Sequence, residues 1–158
     1  MFTFFFTAAS PFSQWHPCAF VVDGRTFNCA EQFMMHGKAQ LFGDAEIAAK
    51  MLETADPKQH KALGRKVKSF DDARWRDARI AIVKAGNRAK FTQNAELLAQ
   101  LMATRGTTLV EASPYDRIWG IGLAATDPRA ADRKQWKGQN LLGQILTELR
   151  DELAAAAA

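Results

Sequence analysis

The stretch AFVVDGRTFNCAEQFMMHGKAQLFGD, residues 19–44, changes its hydrophobic period midway and so decides the fold class. Two short apolar runs flank Asp23 and Gly24, a pair typical of the tight turn of a β-hairpin. From Cys29 onward the apolar residues recur at helical spacing, and Gly43 closes that segment. A hairpin followed directly by an amphipathic helix predicts an α+β fold.

The flanking sequence extends this fold in both directions. Phe2, Phe4 and Phe6 alternate as on an edge strand, and TTLVEA, residues 107–112, is rich in strand-forming residues. No linker or repeat interrupts the chain, which predicts a single, mostly helical domain around a small β-sheet over residues 1–158. Further helices are predicted at residues 44–54, 56–64, 71–89, 92–104 and 140–153.

The composition narrows the function classes. Among 158 residues, 21 basic and 17 acidic side chains give a net charge of +4. This mild, dispersed excess suits a phosphate-bearing ligand better than duplex DNA, which calls for a concentrated basic stripe. Cys18 and Cys29 have neither a disulfide framework nor zinc-ligand spacing, so we expect a cytoplasmic protein without a metal or cofactor. The opening MFTFFFTAAS is too short for a transmembrane helix, and no membrane association is predicted.

Glu31 is the first candidate catalytic residue. It falls in the opening turn of the helix after Cys29, with Met35 and Lys38 one and two turns later on the same face. A carboxylate and an ammonium group can then face one pocket. Equally, an acid in a first turn stabilises the helix dipole by about 0.3 to 1 kcal/mol, and this alone explains many such residues.

The segment ASPYDRIWGIG, residues 112–122, places Asp116 one helical turn before Trp119 and next to glycines, Gly120 among them. A proline at its start and two glycines at its end exclude a regular helix or strand, so a loop that lines a cleft is predicted. An acid beside an aromatic side chain suits a small-molecule pocket. The alternative is that Trp119 belongs to the core and Asp116 caps a turn.

Two further candidates lie on helices. KGQNLLG, residues 137–143, opens the last helix, whose first backbone amides can hold an anion or a ribose hydroxyl beside Asn140. An ordinary N-cap asparagine is the alternative. Trp75 lies between Arg74 and Arg76, where a buried core aromatic is the default and a ligand contact is the alternative.

Several enzyme classes lack support in the sequence. The three histidines share no spacing with a serine or cysteine, so a hydrolytic triad is not indicated. There is no GK[ST] loop for nucleotide hydrolysis and no GxGxxG after a strand for dinucleotide redox chemistry.

Six blocks of the chain, in order, carry a family resemblance. They are SPFSQWHP (10–17), CAEQFMMHGKAQLFGD (29–44), LGRKVKSFDDARW (63–75), AKFTQN (89–94), LVEASPYDRIWGIG (109–122) and KGQNLLG (137–143). Together they resemble the NADAR family, also called YbiA-like, over nearly the whole chain. The family often has SNF where this chain has Ser13-Gln14-Trp15.

This resemblance implies a YbiA-like α+β fold and N-glycosidase activity, the hydrolysis of the bond between a base-like amine and ribose. In the bacterial branch the implied substrates are phosphorylated ribosylamino-pyrimidine intermediates of riboflavin biosynthesis. In other branches the enzymes remove ADP-ribose from guanine bases, which would make ADP-ribosylated nucleic acid a partner. The residues carried over by the resemblance are catalytic Glu31 and Asp116, and substrate-binding Trp75, Trp119, Lys38, Asn140 and Gly120.

These residue types suit that reaction. Breaking the C1′–N bond builds positive charge on the ribose, so one carboxylate can stabilise the cation while a second activates water. Glu31 and Asp116 can take either role, and we expect their carboxylates within about 10 Å of each other. An indole face next to the departing base adds stacking of about 1 to 3 kcal/mol. A third possibility is a module that binds ADP-ribose or a nucleotide without turnover.

Overall fold

The computed structural model describes residues 1–158, which form a mostly helical α+β fold, as predicted. Four strands and six α-helices follow one another, with two short 3-10 helices at Pro128–Ala131 and Arg133–Gln135. The elements are β1 (Phe2–Phe5), β2 (Phe20–Val22), β3 (Arg25–Phe27), α1 (Ala30–Leu41), α2 (Ala45–Met51), α3 (Pro57–Gly64), α4 (Asp72–Thr92), α5 (Ala95–Met102), β4 (Thr108–Glu111) and α6 (Leu141–Ala157).

The chain divides into two compact units. We call residues 14–94 the central unit, and residues 1–13 together with 95–158 the terminal unit. The chain therefore leaves the terminal unit after Ser13 and returns to it at Ala95. None of the helices combines the length and the apolar composition that crossing a membrane requires.

In the central unit, the predicted hairpin is confirmed. Strands β2 and β3 pair antiparallel, with Phe20 opposite Phe27. Asp23 and Gly24 have φ angles of 51° and 77°, the left-handed values that a type I′ turn requires at both central positions. Phe20 and Phe27 stack and are both buried, so the hairpin contributes to the hydrophobic core of this unit.

Three helices of the central unit, α2, α3 and α4, begin where the sequence predicts, because aspartates cap them. Asp44, Asp56 and Asp71 each accept a hydrogen bond from a backbone amide in the first turn of α2, α3 and α4. Pro57 occupies the first turn of α3, where a missing N–H costs nothing. Helix α1 packs against α2, α3 and α4, which makes it the central helix of this unit.

In the terminal unit, β1 and β4 pair in parallel, from Phe2 opposite Thr108 to Phe5 opposite Glu111. The four strands thus form two separate two-stranded sheets. Helix α6 packs against β4 and α5. The core next to β4 is apolar and comprises Val110, Ala112, Ile121, Leu123 and Ala130, with Phe2, Phe4 and Trp136 packed on it.

Four helices have a limit that differs from the prediction by three or more residues. Helix α2 ends at Met51 rather than at residue 54, and α4 ends at Thr92 rather than at residue 89. The helix predicted at residues 92–104 begins at Ala95, because α4 continues to Thr92 and Asn94 donates its side-chain amide to the Lys90 carbonyl. The last helix runs to Ala157 rather than ending at residue 153, since its final alanines are strong helix formers.

Candidate active site

Glu31 lies in the first turn of α1, and its side chain is only 6% exposed. Its backbone N–H donates to the Gln14 carbonyl at 2.9 Å. A favourable helix-dipole interaction needs no burial, whereas taking a carboxylate out of water costs free energy. The helix dipole alone therefore does not account for the buried position of Glu31.

Gln14 lies where this chain departs from the common SNF pattern, and its contact with Glu31 was not predicted from the sequence. Its side-chain Oε1 accepts a hydrogen bond from Asn87 Nδ2 on α4 at 2.9 Å. Asn87 Nδ2 also donates to the Val83 carbonyl at 2.9 Å. Both amides are buried, so the backbone that positions Glu31 is tied to the middle of α4.

Lys38 lies two turns after Glu31 on α1, as predicted, and its ammonium group contacts two aromatic rings. The Nζ atom is 4.6 Å from the ring centroid of Phe70 and 5.7 Å from that of Trp75. Burial lowers the pKa of Lys38, and the nearby charge of Arg65 lowers it further, whereas the charge of Glu31 raises it. The structure thus brings three of the candidate residues together in the central unit: Glu31, Lys38 and Trp75.

Trp75 is buried in the first turns of α4, so it serves the core as well as the Lys38 contact. Phe70 is the aromatic residue that the sequence interpretation missed: it is 45% exposed, and its ring lies 5.4 Å from that of Phe42. A signal for it existed. Phe70 directly precedes the N-cap Asp71 and Trp75 is the fourth residue of the helix, the spacing of a hydrophobic staple.

In the terminal unit, Asp116 caps a turn. Its Oδ1 accepts hydrogen bonds from the backbone amides of Ile118 at 2.8 Å and Trp119 at 2.9 Å. This is the alternative that the sequence left open for Asp116. The other carboxylate oxygen, Oδ2, makes no hydrogen bond within the chain, so one oxygen of a half-buried acid is available for chemistry.

Gly120 is buried where two backbone segments meet. A Cβ atom there would lie 2.9 Å from the Glu111 carbonyl oxygen and 3.0 Å from the Asp116 carbonyl oxygen. The glycine is therefore required by the close approach of the chain to itself. This explains the glycine of residues 112–122 without any ligand.

Asn140 has a left-handed φ of 53° and is 0% exposed. Its Oδ1 accepts from the Glu111 amide at 3.0 Å, and its Nδ2 donates to the Leu109 carbonyl at 3.1 Å. The side chain therefore joins the start of α6 to β4 and forms no N-cap hydrogen bond. Contact of Asn140 with substrate stays a prediction, and its side-chain hydrogen bonds show a positioning role.

The amides at the start of α6 are not open to an anion, contrary to the prediction. Those of Asn140, Leu141 and Leu142 donate to the carbonyls of Gly120, Ile118 and Trp119 at 3.0, 3.2 and 3.2 Å. The loop that carries Asp116 thus occupies the helix N-terminus. This contact fixes the loop and explains its irregular backbone.

The cysteines are poor candidates for a nucleophile. Both are free thiols. Burial raises the pKa of Cys29 to about 11 and also raises that of Cys18, which disfavours the reactive thiolate. No group of three or more His, Cys, Asp and Glu side chains is placed to hold a metal ion.

Comparisons with known proteins identify the family of this chain. The NADAR domain family matches residues 4–154. The chain is 43% identical over 146 residues to "N-glycosidase R617" of Acanthamoeba polyphaga mimivirus, an alignment that covers 89% of this chain and 86% of that protein. It is 32% identical over 133 residues to "N-glycosidase YbiA" of Escherichia coli, covering 84% and 74%.

A third relative and a solved structure extend the comparison. "Riboflavin biosynthesis protein VVA0006" of Vibrio vulnificus is 32% identical over 141 residues, covering 89% of this chain and 35% of that protein. The NMR structure of E. coli YbiA superposes with a TM-score of 0.80 at 28% identity, covering 99% of this chain and 86% of that one. With a fold and a family match that extend over most of its residues, the chain belongs to the NADAR family.

Proposed function

We propose that this protein hydrolyses the N-glycosidic bond of a phosphorylated ribosylamino-pyrimidine, an intermediate of riboflavin biosynthesis. The chain is an N-glycosidase, a hydrolase acting on N-glycosyl compounds, because its family and the relatives named N-glycosidase support this class of reaction. The finer choice of substrate is supported by the relative named for riboflavin biosynthesis. The observation that carries the proposal is the buried Glu31 carboxylate on the same helix face as Lys38.

Glu31 is suited to stabilise the positive charge that develops on the ribose. Its buried position lowers the local dielectric, so the attraction between its carboxylate and an oxocarbenium-like ribose is stronger than in water. The Gln14 carbonyl fixes the backbone of Glu31, which keeps the carboxylate oriented before the substrate arrives. Pre-orientation of this kind lowers the barrier because no reorganisation is needed during the reaction.

Lys38 and the aromatic rings around it are suited to bind the two ends of the substrate. The ammonium group can pair with a phosphate oxygen, while the half-exposed ring of Phe70 offers a face on which a pyrimidine can stack. Trp75 contacts Lys38 from α4 and limits its rotamers. Lys38 lies two turns from Glu31 on the same face of α1, so the phosphate and the stacked base would both be bound near the Glu31 carboxylate.

Asp116 is proposed as the second carboxylate on the strength of the family resemblance. Its Oδ1 is engaged with the amides of Ile118 and Trp119, so Oδ2 is the oxygen that would activate water or stabilise charge. The pairing of Asp116 with Glu31, and contacts of Trp119, Gly120 and Asn140 with substrate, remain predictions. Either acid can take either role.

The first experiment is turnover of a ribosylamino-pyrimidine phosphate by the pure protein, with release of ribose 5-phosphate as the readout. We expect Glu31→Gln to lower kcat at least about a hundredfold, the scale of losing one electrostatic stabiliser. Glu46→Gln is the matched control, because Glu46 is also a first-turn glutamate but is exposed and paired with Lys50. Full activity of Glu31→Gln would remove Glu31 from the mechanism.

Two other outcomes would change the assignment. Release of ADP-ribose from ADP-ribosylated guanine in DNA, with no turnover of the pyrimidine, would assign the substrate of the other family branch. Calorimetric binding of ADP-ribose without any product over hours would favour a binding module instead. We expect the protein to act in the cytoplasm, where its two free thiols would stay reduced.

A further inference from the structure

A groove of about 490 Å³ lies on the central unit where α1, α2 and β3 meet. Its floor is apolar, because α2 directs Ala45, Ala48 and Ala49 toward it and these side chains are too short to fill it. Its volume lies in the range of small-molecule pockets, about 300 to 1,000 Å³. The groove can therefore hold a molecule of a few tens of atoms at most.

One end of the groove is polar. His36 of α1 lines it and is only 4% exposed, and neither of its ring nitrogens has a hydrogen-bond partner within the chain. One edge of the ring packs on Phe27 at 5.4 Å. Neither ring nitrogen is fully enclosed by protein, so a ligand in the groove can complete the hydrogen bonding of the imidazole.

Arg25 of β3 lines the same groove and makes no hydrogen bond or ion pair within the chain. Its charge acts on His36: burial lowers the pKa of His36, and the Arg25 guanidinium lowers it further. Gln40 is the third polar residue of the lining, and no acidic side chain contributes to it. The polar end thus carries positive charge and hydrogen-bond donors, which is suited to an anion.

We propose that this groove binds a phosphate monoester, with the phosphate at Arg25 and His36 and the organic part over the alanines of α2. The guanidinium presents two parallel N–H donors, which match two phosphate oxygens. A third terminal oxygen can then accept from the His36 ring. A carboxylate carries one negative charge and two oxygens, whereas the phosphate of a monoester carries up to two charges and three terminal oxygens, so the phosphate can pair more strongly with Arg25 and offer a separate oxygen to His36.

The groove is separate from the candidate active site. At about 100° per residue around a helix, His36 and Gln40 lie roughly 140° and 180° from Glu31, whereas Lys38 lies within about 20° of it. Helix α1 therefore presents Glu31 and Lys38 on one face and the groove residues on the opposite face. The groove proposal does not depend on the proposed reaction.

The test is a titration of the full-length protein with phenyl phosphate, followed through the imidazole NMR signals of His36 and by calorimetry. We expect these signals to shift and Arg25→Gln to weaken binding about ten- to a hundredfold, the scale of losing a charge-assisted hydrogen-bonded pair. Arg76→Gln is the matched control, because Arg76 is an exposed arginine of α4 that pairs with Asp72. Arg25 is exposed, so its variant should fold, and its N-glycosidase turnover should be unchanged.

Three results would overturn the proposal. One is no shift of the His36 signals at saturating phenyl phosphate, and another is equal affinity of the wild type and Arg25→Gln. Benzoate bound as tightly as phenyl phosphate would reject the phosphate assignment. Because the readout is binding at His36, these results are independent of whether Glu31→Gln retains turnover.

Discussion

A single buried amide joins β4 to the start of α6. Asn140 uses Oδ1 to accept from Glu111 and Nδ2 to donate to Leu109, a pairing of donor and acceptor that an ionised carboxylate of the same shape cannot supply. Its left-handed backbone is also one that asparagine tolerates better than most residues. The residue thus meets a conformational and a hydrogen-bonding requirement together.

Asn140→Asp is therefore expected to destabilise the protein by about 1 to 3 kcal/mol or more, because a buried carboxylate oxygen would face the Leu109 carbonyl in place of a donor. Urea unfolding measures this change. Gln139→Glu is the matched control, since it makes the same amide-to-acid change at the exposed neighbouring position. Equal stability of the two variants would mean that the Asn140 bridge contributes little.

For single residues, the sequence predicts well which side chains share a helix face, and poorly which residues distant in sequence are in contact. The common face of Glu31 and Lys38 follows from helix periodicity alone, and the structure has them on that face. The Gln14 carbonyl that binds the Glu31 amide comes from a loop whose path the local pattern does not specify. Likewise, the glycines of residues 112–122 predict an irregular loop, but the sequence does not indicate that the Glu111 carbonyl lies next to Gly120.

Among the elements, α2 is held at its start by one carboxylate with two partners. Asp44 Oδ1 accepts from the Ile47 amide at 3.1 Å, and Oδ2 accepts from the Lys68 amide at 2.9 Å. These bonds lower the pKa of Asp44, that from Lys68 most and that from Ile47 next. Both backbone amides donate to the carboxylate and so stabilise its ionised form. Through these two bonds Asp44 connects α2 to the chain after α3.

This arrangement predicts a loss of stability in acid. A folded-state pKa below the usual 3.8 means that the Asp44 contribution is fully present above about pH 4 and declines as pH falls through the lowered value. The stabilising contribution of Asp127 should decline in the same way between about pH 4 and pH 2, because its hydrogen bonds with Arg129 lower its pKa to about 2. Asp44→Asn should be less stable at pH 7 and lose less stability between pH 7 and pH 3.

Urea midpoints of the wild type, Asp44→Asn and Asp127→Asn at the two pH values check this expectation. Asp127 lies in the terminal unit, so its variant provides a comparison with a second aspartate whose pKa is lowered. The same pH dependence for Asp44→Asn and the wild type would show that the Asp44 carboxylate does not contribute to the acid sensitivity.

Element positions were predicted where a local signal exists. Helix starts are predicted by the capping residue Asp44 and by Asp56-Pro57, and the hairpin turn is predicted by Asp23-Gly24. The structure has a helix start or a turn at each of these positions. The partner of β1 was not predictable from such signals, because strand pairing depends on residues far apart in sequence. The division of the strands into two sheets is a consequence of that pairing.

At the scale of the whole molecule, the central unit is one uninterrupted stretch of chain, whereas the terminal unit is formed by two stretches. Pairing β1 with β4 closes a loop of chain that includes all of residues 14–94. Closing a loop costs less entropy when the loop is already ordered. Folding of the central unit should therefore favour folding of the terminal unit, and we propose that residues 1–158 form one cooperative domain.

The indole N–H signals of the four tryptophans test this proposal without mutation. Trp15 and Trp75 report on the central unit, and Trp119 and Trp136 report on the terminal unit. All four signals should disappear at one urea concentration. Two midpoints, divided by unit, would contradict a single domain and indicate two independently stable ones.

The parallel pairing of β1 with β4 also has a consequence for synthesis on the ribosome. Strand β1 is translated before its partner β4, which begins at Thr108. At about 5 to 20 residues per second, the phenylalanine-rich first strand waits on the order of 5 to 20 seconds for that partner. During this interval the nascent chain exposes an unpaired apolar strand, which makes Phe2–Phe5 a segment that chaperones can bind.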